Sequence, residues 1–108
     1  MEEELLEFCK NLENEYGISL NRIKSYYSKL MNIPCVSEND EELLMECLER
    51  IVQDMSTNEF IRSKENNAEQ IQKEYNYIFS DALYNVYGDD STDYLDENYK
   101  KMNEYRHI

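Results

Sequence analysis

The chain has 108 residues, which is enough for one domain with a hydrophobic core and too few for two. Its 24 acidic residues outnumber 11 Lys and Arg, and the net charge of −13 disfavours direct binding to nucleic acids or anionic membranes and favours basic protein surfaces. Two glycines and one proline supply few of the tight turns that an all-β fold requires. We therefore predict a single all-α domain over residues 1–108, a compact irregular bundle of five or six helices.

The first two predicted helices span about residues 2–16 and 20–31. Gly17 is suited to end the first helix, because glycine readily adopts the left-handed conformation that follows a helix C-terminus. Ser19 is placed to cap the second helix, since a serine hydroxyl can accept from a backbone N–H of the first turn. The second helix has an apolar or aromatic stripe that we expect to point inward: Leu20, Ile23, Tyr27, Leu30 and Met31.

The second helix also contains the one basic concentration in the chain. Arg22, Lys24 and Lys29 lie on its other positions, with Tyr26 nearby. Such a group could contact phosphate, but in a protein of this net charge we favour pairing with neighbouring glutamates.

A connector is predicted over residues 32–38, because Pro34 cannot continue a helix and favours an extended Ile33. A third helix then begins near residue 40 and ends near residue 55, with wide apolar and acidic faces. The acidic side chains of its outer surface form one candidate surface for a partner: Glu41, Glu42, Glu46 and Glu49.

Thr57 is a candidate cap for a short additional helix, which the polar segment 63–67 should break or bend. The longest helical pattern covers residues 67–87 and ends at Gly88. Its apolar side chains recur at three- and four-residue steps and predict a buried face: Ala68, Ile71, Tyr75, Ile78, Phe79, Ala82, Leu83 and Val86. A last helix is predicted at about residues 94–106.

The segment that follows the long helix is predicted to be an acidic loop. Seven carboxylates and no Lys or Arg lie between Lys73 and Lys100. Tyrosine is a favoured interface anchor, because it combines a large ring with few torsions and a polar tip. Two tyrosines lie off the main apolar stripe or at its end, and with the acids they form the main predicted partner-binding surface: Tyr84, Asp89, Asp90, Asp93, Tyr94, Asp96 and Glu97.

The sequence contains no recognisable catalytic or cofactor motif. The only histidine, His107, lies next to the C-terminus, and no Gly-rich phosphate loop is present. In the segment that begins at Asp89, side chains with ligand oxygens occupy every second position, as they do in a calcium-binding loop. However, Tyr94 stands where the turn needs Gly, and Lys100 stands where a bidentate Glu belongs. We therefore expect a protein that is not an enzyme and needs neither metal nor cofactor.

The cysteines and the N-terminal residues bear on the compartment. The chain has three cysteines, Cys9, Cys35 and Cys47. This odd number and the lack of a C-x-x-C pair favour a reducing environment. The opening MEEELLEF has neither the basic segment nor the apolar run of a secretory signal. No run approaches the roughly 20 apolar residues of a membrane span. We expect a cytoplasmic protein.

A resemblance to a known family begins at the long helix. IFSDALYNVYGDDSTDYLDENYKKMNEY resembles the C-terminal half of the colicin D-type immunity proteins, which are related to immunity proteins of contact-dependent growth-inhibition systems. ELLEFCKNLENEYGISLNRIKSYYSKLM is similar in layout to that family's opening. The resemblance implies a bacterial protein that neutralises a cognate toxin, a tRNA-cleaving or other nuclease domain, by covering its basic substrate cleft. Acidic side chains would occupy the places of RNA phosphates.

On the matching positions, the resemblance implies that the partner is contacted by five acids, together with Tyr84 and Tyr94: Asp89, Asp90, Asp93, Asp96 and Glu97.

Two other functions stay open. A phage-encoded acidic mimic of nucleic acid, inhibiting a restriction or CRISPR effector, would carry its carboxylates along an elongated face at intervals of about 7 Å. A scaffold or adaptor that binds a partner helix would instead expose a contiguous apolar strip.

Overall fold

The computed structural model describes residues 2–62, 68–95 and 99–100. Within these ranges every regular element is helical, so the all-α prediction is confirmed. The elements are α1 (Glu3–Tyr16), α2 (Leu20–Met31), α3 (Pro34–Ser37), α4 (Glu41–Arg62), α5 (Ala68–Tyr87) and a 3₁₀-helix, Gly88–Tyr94, named here the acidic 3₁₀-helix. No described helix combines the length and apolar character needed to cross a membrane.

The predicted boundary between α1 and α2 is confirmed. Gly17 adopts the left-handed conformation, with φ 73°, and its N–H donates to the carbonyl oxygen of Glu13 across 2.9 Å. The Ser19 hydroxyl accepts from the backbone N–H of Arg22 at 3.4 Å. The Glu13 carboxylate also accepts from the backbone N–H of Leu20 at 2.6 Å, which ties the end of α1 to the start of α2.

The connector after α2 contains a short helix that the sequence analysis did not predict. Ile33 is extended as expected, with φ −99° and ψ 119°, but Pro34 then begins α3. Proline is well suited to the first helical position, where its missing N–H would have no intrahelical partner. Pro34 therefore begins α3 shortly after the end of α2.

α4 continues to Arg62, so the predicted end near residue 55 is wrong. Thr57 does not cap a new helix. Its hydroxyl donates to the carbonyl oxygen of Gln53 at 3.2 Å, one turn back within α4.

The core is organised around α4, which contacts α1, α2 and α5. The most deeply buried side chains come from all four long helices and from the α1–α2 and α2–α4 connections: Cys9, Ile18, Ile23, Leu30, Val36, Cys47, Leu48, Ile51, Val52 and Leu83. Cys9 and Cys47 therefore act as small apolar core residues, as their positions in the helical pattern predicted. The inward face of α2 differs from the prediction, because Tyr26 is buried while Met31 is 36% exposed.

The predicted acidic loop is instead the acidic 3₁₀-helix, which follows α5 directly. Gly88 has φ 61° and accommodates the left-handed turn between the two helices. Residues 99 and 100 are helical, in agreement with part of the predicted last helix, but its predicted start near residue 94 is wrong, because Tyr94 ends the acidic 3₁₀-helix and Leu95 is extended. Several predictions lie outside the described residues: the break at 63–67, the last helix beyond residue 100, and the partner contacts of Asp96 and Glu97.

Candidate partner-binding surface

The acidic 3₁₀-helix presents three carboxylates on an ordered backbone. Ser91 is completely buried, and its hydroxyl donates to the carbonyl oxygen of Gly88 at 2.8 Å. The side chains of Asp89, Asp90 and Asp93 are exposed around it. With three residues per turn, Asp90 and Asp93 lie on the same edge of the helix, one turn apart. The buried serine therefore marks the inner side of this helix, and the acids lie on its exposed side.

Electrostatic coupling relates this helix to α3 and α4. Burial raises the pKa of the Cys35 thiol, and the nearby Asp90 carboxylate raises it further. Burial also raises the pKa of the Tyr87 phenol, and Cys47, Cys35 and Glu46 add to the shift in the same direction. The sequence placed Asp90 and Glu46 on separate candidate surfaces. Because Asp90 shifts the pKa of Cys35 and Glu46 shifts the pKa of Tyr87, each carboxylate lies within electrostatic range of one of these two side chains.

The acids of α4 differ in how far they are engaged within the protein. The Glu46 carboxylate lies 3.9 Å from the Arg50 guanidinium, and both side chains are about half exposed. Glu49 is half-buried and accepts from the Tyr16 hydroxyl at 3.5 Å. Glu41 and Glu42 are exposed in the first turn of α4. Because exposed ion pairs contribute little, Glu46 can still take part in a partner contact together with Glu42.

A second acidic feature was missed by the sequence analysis. The N-termini of α1 and α4 meet at a shallow cleft of about 200 Å³, here named the helix-end cleft, whose lining includes Glu2, Glu41 and the partly exposed Met31. The sequence shows that both helices begin with acids, but only their packing shows that these two ends adjoin. The cleft offers carboxylates beside an apolar side chain, a combination that suits a long basic side chain.

The two tyrosines predicted at the interface are exposed, 37% for Tyr84 and 44% for Tyr94. They have different neighbours, however. The Tyr84 ring centroid lies 6.0 Å from that of Tyr99, which lies 5.5 Å from that of Tyr77. Tyr94 ends the acidic 3₁₀-helix and borders a cleft between α2 and α5. Tyr94 is therefore the tyrosine that directly adjoins the three ordered aspartates.

The cleft beside Tyr94 has a volume of about 420 Å³. Arg22 and Lys29 line it from α2. Arg22 Nη2 donates to the Tyr26 hydroxyl at 2.8 Å, and the guanidinium carbon lies 5.9 Å from the Tyr26 ring centroid. Part of the basic concentration noticed in the sequence therefore borders a concave surface, with Arg22 held against an aromatic ring.

Among the described residues, no group of three or more His, Cys, Asp or Glu side chains is arranged to hold a metal ion.

Comparison with known proteins finds no matching family model, curated protein or solved structure. The function must therefore be inferred from the surfaces themselves.

Proposed function

We propose that this protein is an immunity protein, which binds a basic nuclease toxin and blocks its substrate cleft. The observation that carries the proposal is the acidic 3₁₀-helix, on which Ser91 is buried while Asp89, Asp90 and Asp93 are exposed next to Tyr94. The resemblance in layout to the colicin D-type immunity proteins supports a tRNA-cleaving or other nuclease domain as the target and the cytoplasm as the place of action.

The arrangement supports protein binding through pre-organisation. A contact made by a flexible loop costs the entropy of ordering its backbone, whereas the backbone that carries these carboxylates is already folded. The net charge of −13 accelerates the encounter with a basic partner, and only charges within about 8 Å of the contact remain effective at physiological salt. The ordered patch supplies those local charges, and Tyr94 adds apolar contact area.

The chemistry of a nuclease explains why acidity would inhibit it. A substrate cleft that binds phosphates carries Lys and Arg, and such a basic surface attracts any complementary acidic surface that fits it. Carboxylates of the acidic 3₁₀-helix would take the positions of successive phosphates, with Glu42 and Glu46 of α4 or the helix-end cleft making additional contacts. The blocked cleft could then no longer admit RNA.

The distribution of exposed apolar side chains favours this proposal over a scaffold that binds a partner helix. Among the described residues, the large hydrophobic side chains that are exposed are Met31, Tyr84 and Tyr94. Met31 borders the helix-end cleft, Tyr84 contacts Tyr99 and Tyr94 borders the cleft between α2 and α5. Three side chains in three different settings do not form the contiguous apolar strip that a helix-binding groove requires.

The test is to capture partners from the native host on the immobilised protein at low salt and to elute them by raising the salt. The eluted fraction is then assayed for cleavage of tRNA and of other nucleic acids, with and without added protein. We expect a basic nuclease that is inhibited at a one-to-one ratio. Recovery of a restriction or CRISPR effector would instead support the acidic mimic, and a nuclease whose activity is unchanged at saturating protein would contradict the proposal.

A further inference from the structure

The cleft between α2 and α5 has the dimensions of a small-molecule site. Its volume of about 420 Å³ lies within the range of roughly 300–1,000 Å³ typical of ligand pockets. Met55 of α4 contributes to its lining, and Tyr94 contributes from the acidic 3₁₀-helix. Four elements therefore shape the cleft, so its walls are set by the packing of the bundle.

The lining combines flat rings with hydrogen-bonding groups. Tyr26, Tyr75, Phe79 and Tyr94 all border the cleft. Ser25 of α2 and the amides of Gln72 and Asn76 on α5 add polar groups. Aromatic rings favour offset or edge-on contact with another ring, and the amides can orient a polar substituent.

The charged side chains among the described lining residues of the cleft are basic. Arg22 and Lys29 line it, and none of its described lining residues is acidic, although the chain carries a net charge of −13. The two cations lie two turns apart along α2, on the side that faces α5. Lys24, the third basic residue of this helix, does not line the cleft. Lys29 therefore offers an anionic group a positive partner at the α2 side of the cleft.

We infer that this cleft binds a small molecule that carries a flat ring and one compact anionic group, a carboxylate or a phosphate. The ring lies among the aromatic walls, and the anion lies toward Lys29 at the α2 side. This site is distinct in chemistry from the acidic partner-binding surface, and the inference does not rest on the proposed nuclease inhibition.

The first experiment is an NMR titration of the full chain with benzoate, phenyl phosphate and the uncharged benzamide, following backbone amide shifts. We expect saturable shifts of α2 and α5 amides around the cleft with at least one of the two anions, with a Kd of roughly 1 mM for ligands of this size. The tighter of the two anions identifies the preferred group. Absence of saturation with both anions, or equal binding of benzamide, would overturn the inference.

Two matched pairs of variants then locate the site. Lys29→Gln removes a lining cation, whereas Lys24→Gln makes the same change outside the cleft; both lysines are exposed on α2. Lys29→Gln should weaken binding of the preferred anion about threefold to fivefold, and Lys24→Gln by less than about twofold. Equal effects of the two substitutions would place the anion elsewhere and overturn the assignment.

The second pair tests occupancy of the cleft. Ser25→Trp places a large ring in the cleft, and Ser28→Trp places the same ring on an exposed position of α2 that does not line it. Binding should be lost in the first variant and kept in the second, with both proteins retaining the helical circular dichroism of the parent. Binding retained by Ser25→Trp would contradict the site.

Discussion

The hydroxyl of Ser91 donates to the carbonyl oxygen of Gly88 across 2.8 Å, inside the acidic 3₁₀-helix. Ser91 is completely buried although Asp89, Asp90 and Asp93 around it are exposed. This hydrogen bond joins two residues one turn apart, and the burial of Ser91 marks the side of the 3₁₀-helix that faces the protein. One buried polar contact therefore supports the turn that carries the three carboxylates.

Replacing Ser91 by Ala should lower the free energy of unfolding by about 1 kcal/mol, the usual net contribution of one hydrogen bond, and speed amide exchange in the acidic 3₁₀-helix. Urea denaturation and hydrogen exchange measure the two effects. Thr92→Ala, at an exposed neighbouring position, should change stability by less than about 0.5 kcal/mol. Equal stability and exchange in both variants would show that Ser91 does not anchor the helix.

Removal of the Tyr87 hydroxyl should not destabilise the protein. This hydroxyl is buried and has no hydrogen-bond partner among the described residues, and leaving such a group unsatisfied costs about 1–3 kcal/mol. Tyr87→Phe should therefore be neutral or raise the free energy of unfolding by up to about 1 kcal/mol. Tyr84→Phe, which removes an exposed hydroxyl, is the control. A loss of stability in the Tyr87 variant alone would reveal a hydrogen bond at that hydroxyl.

The assignment of the core face of α5 is tested by adding a charge to it. Ile78 is buried against the main cluster, so Ile78→Asp both removes apolar contacts and buries an unpaired carboxylate. We expect a loss of at least about 4 kcal/mol, enough to unfold a marginally stable domain. Asn85→Asp adds the same charge on the exposed side of α5; it removes the hydrogen bond from the Asn85 amide to the Asp81 carbonyl oxygen and should cost no more than about 1 kcal/mol. Similar melting of both variants would refute the assigned face.

Alkaline pH should destabilise the fold through Cys47. Burial raises the pKa of this thiol from its ordinary value of 9.0 to about 12. The unfolded thiol ionises first, so the contribution to stability is complete below about pH 9 and is lost between about pH 9 and pH 12. The raised pKa values of Cys9 and Tyr87 act in the same direction.

Urea denaturation at about pH 8 and about pH 10.5 measures this loss. Cys47→Ala should reduce the drop in unfolding free energy between the two pH values, whatever its effect on stability at the lower one. The comparison uses the pH-dependent difference, because removing the buried side chain also changes packing. If the parent and the variant lost the same free energy, ionisation of Cys47 would not contribute to alkaline destabilisation.

Local signals allowed the boundary between α1 and α2 and the buried positions at the centre of α5 to be predicted from the sequence. Gly17 and Ser19 each have a local physical reason to end or begin a helix, and both occupy the predicted positions. The exposure of Tyr84 and Tyr94 also follows from their places relative to the apolar stripe. Such features depend on a few neighbouring residues, so they can be inferred without knowledge of the tertiary structure.

The remaining features depend on choices that the local sequence leaves open. Thr57 can cap a helix or bond back to the preceding turn, and here it does the latter. Tyr26 and Tyr27 are adjacent aromatic residues, and the packing of α2 buries the first more deeply. The helix-end cleft and the cleft between α2 and α5 arise where separate helices meet, so no sequence motif marks them.

The most direct test of the central claim is the rate of association between this protein and the nuclease that it captures. The variant D89N/D90N/D93N removes three charges from the acidic 3₁₀-helix. E4Q/E7Q/E69Q removes three exposed charges from α1 and from the opposite end of α5, so the two proteins have equal net charge. Any difference between them reports the location of the charges.

We predict that the first variant associates about threefold to tenfold more slowly than the parent and shows a weaker dependence on salt, whereas the second stays within about twofold. Both should retain the helical content of the parent. Equal rates for the two variants would mean that overall charge drives binding, and an unchanged rate for D89N/D90N/D93N would remove the acidic 3₁₀-helix from the interface.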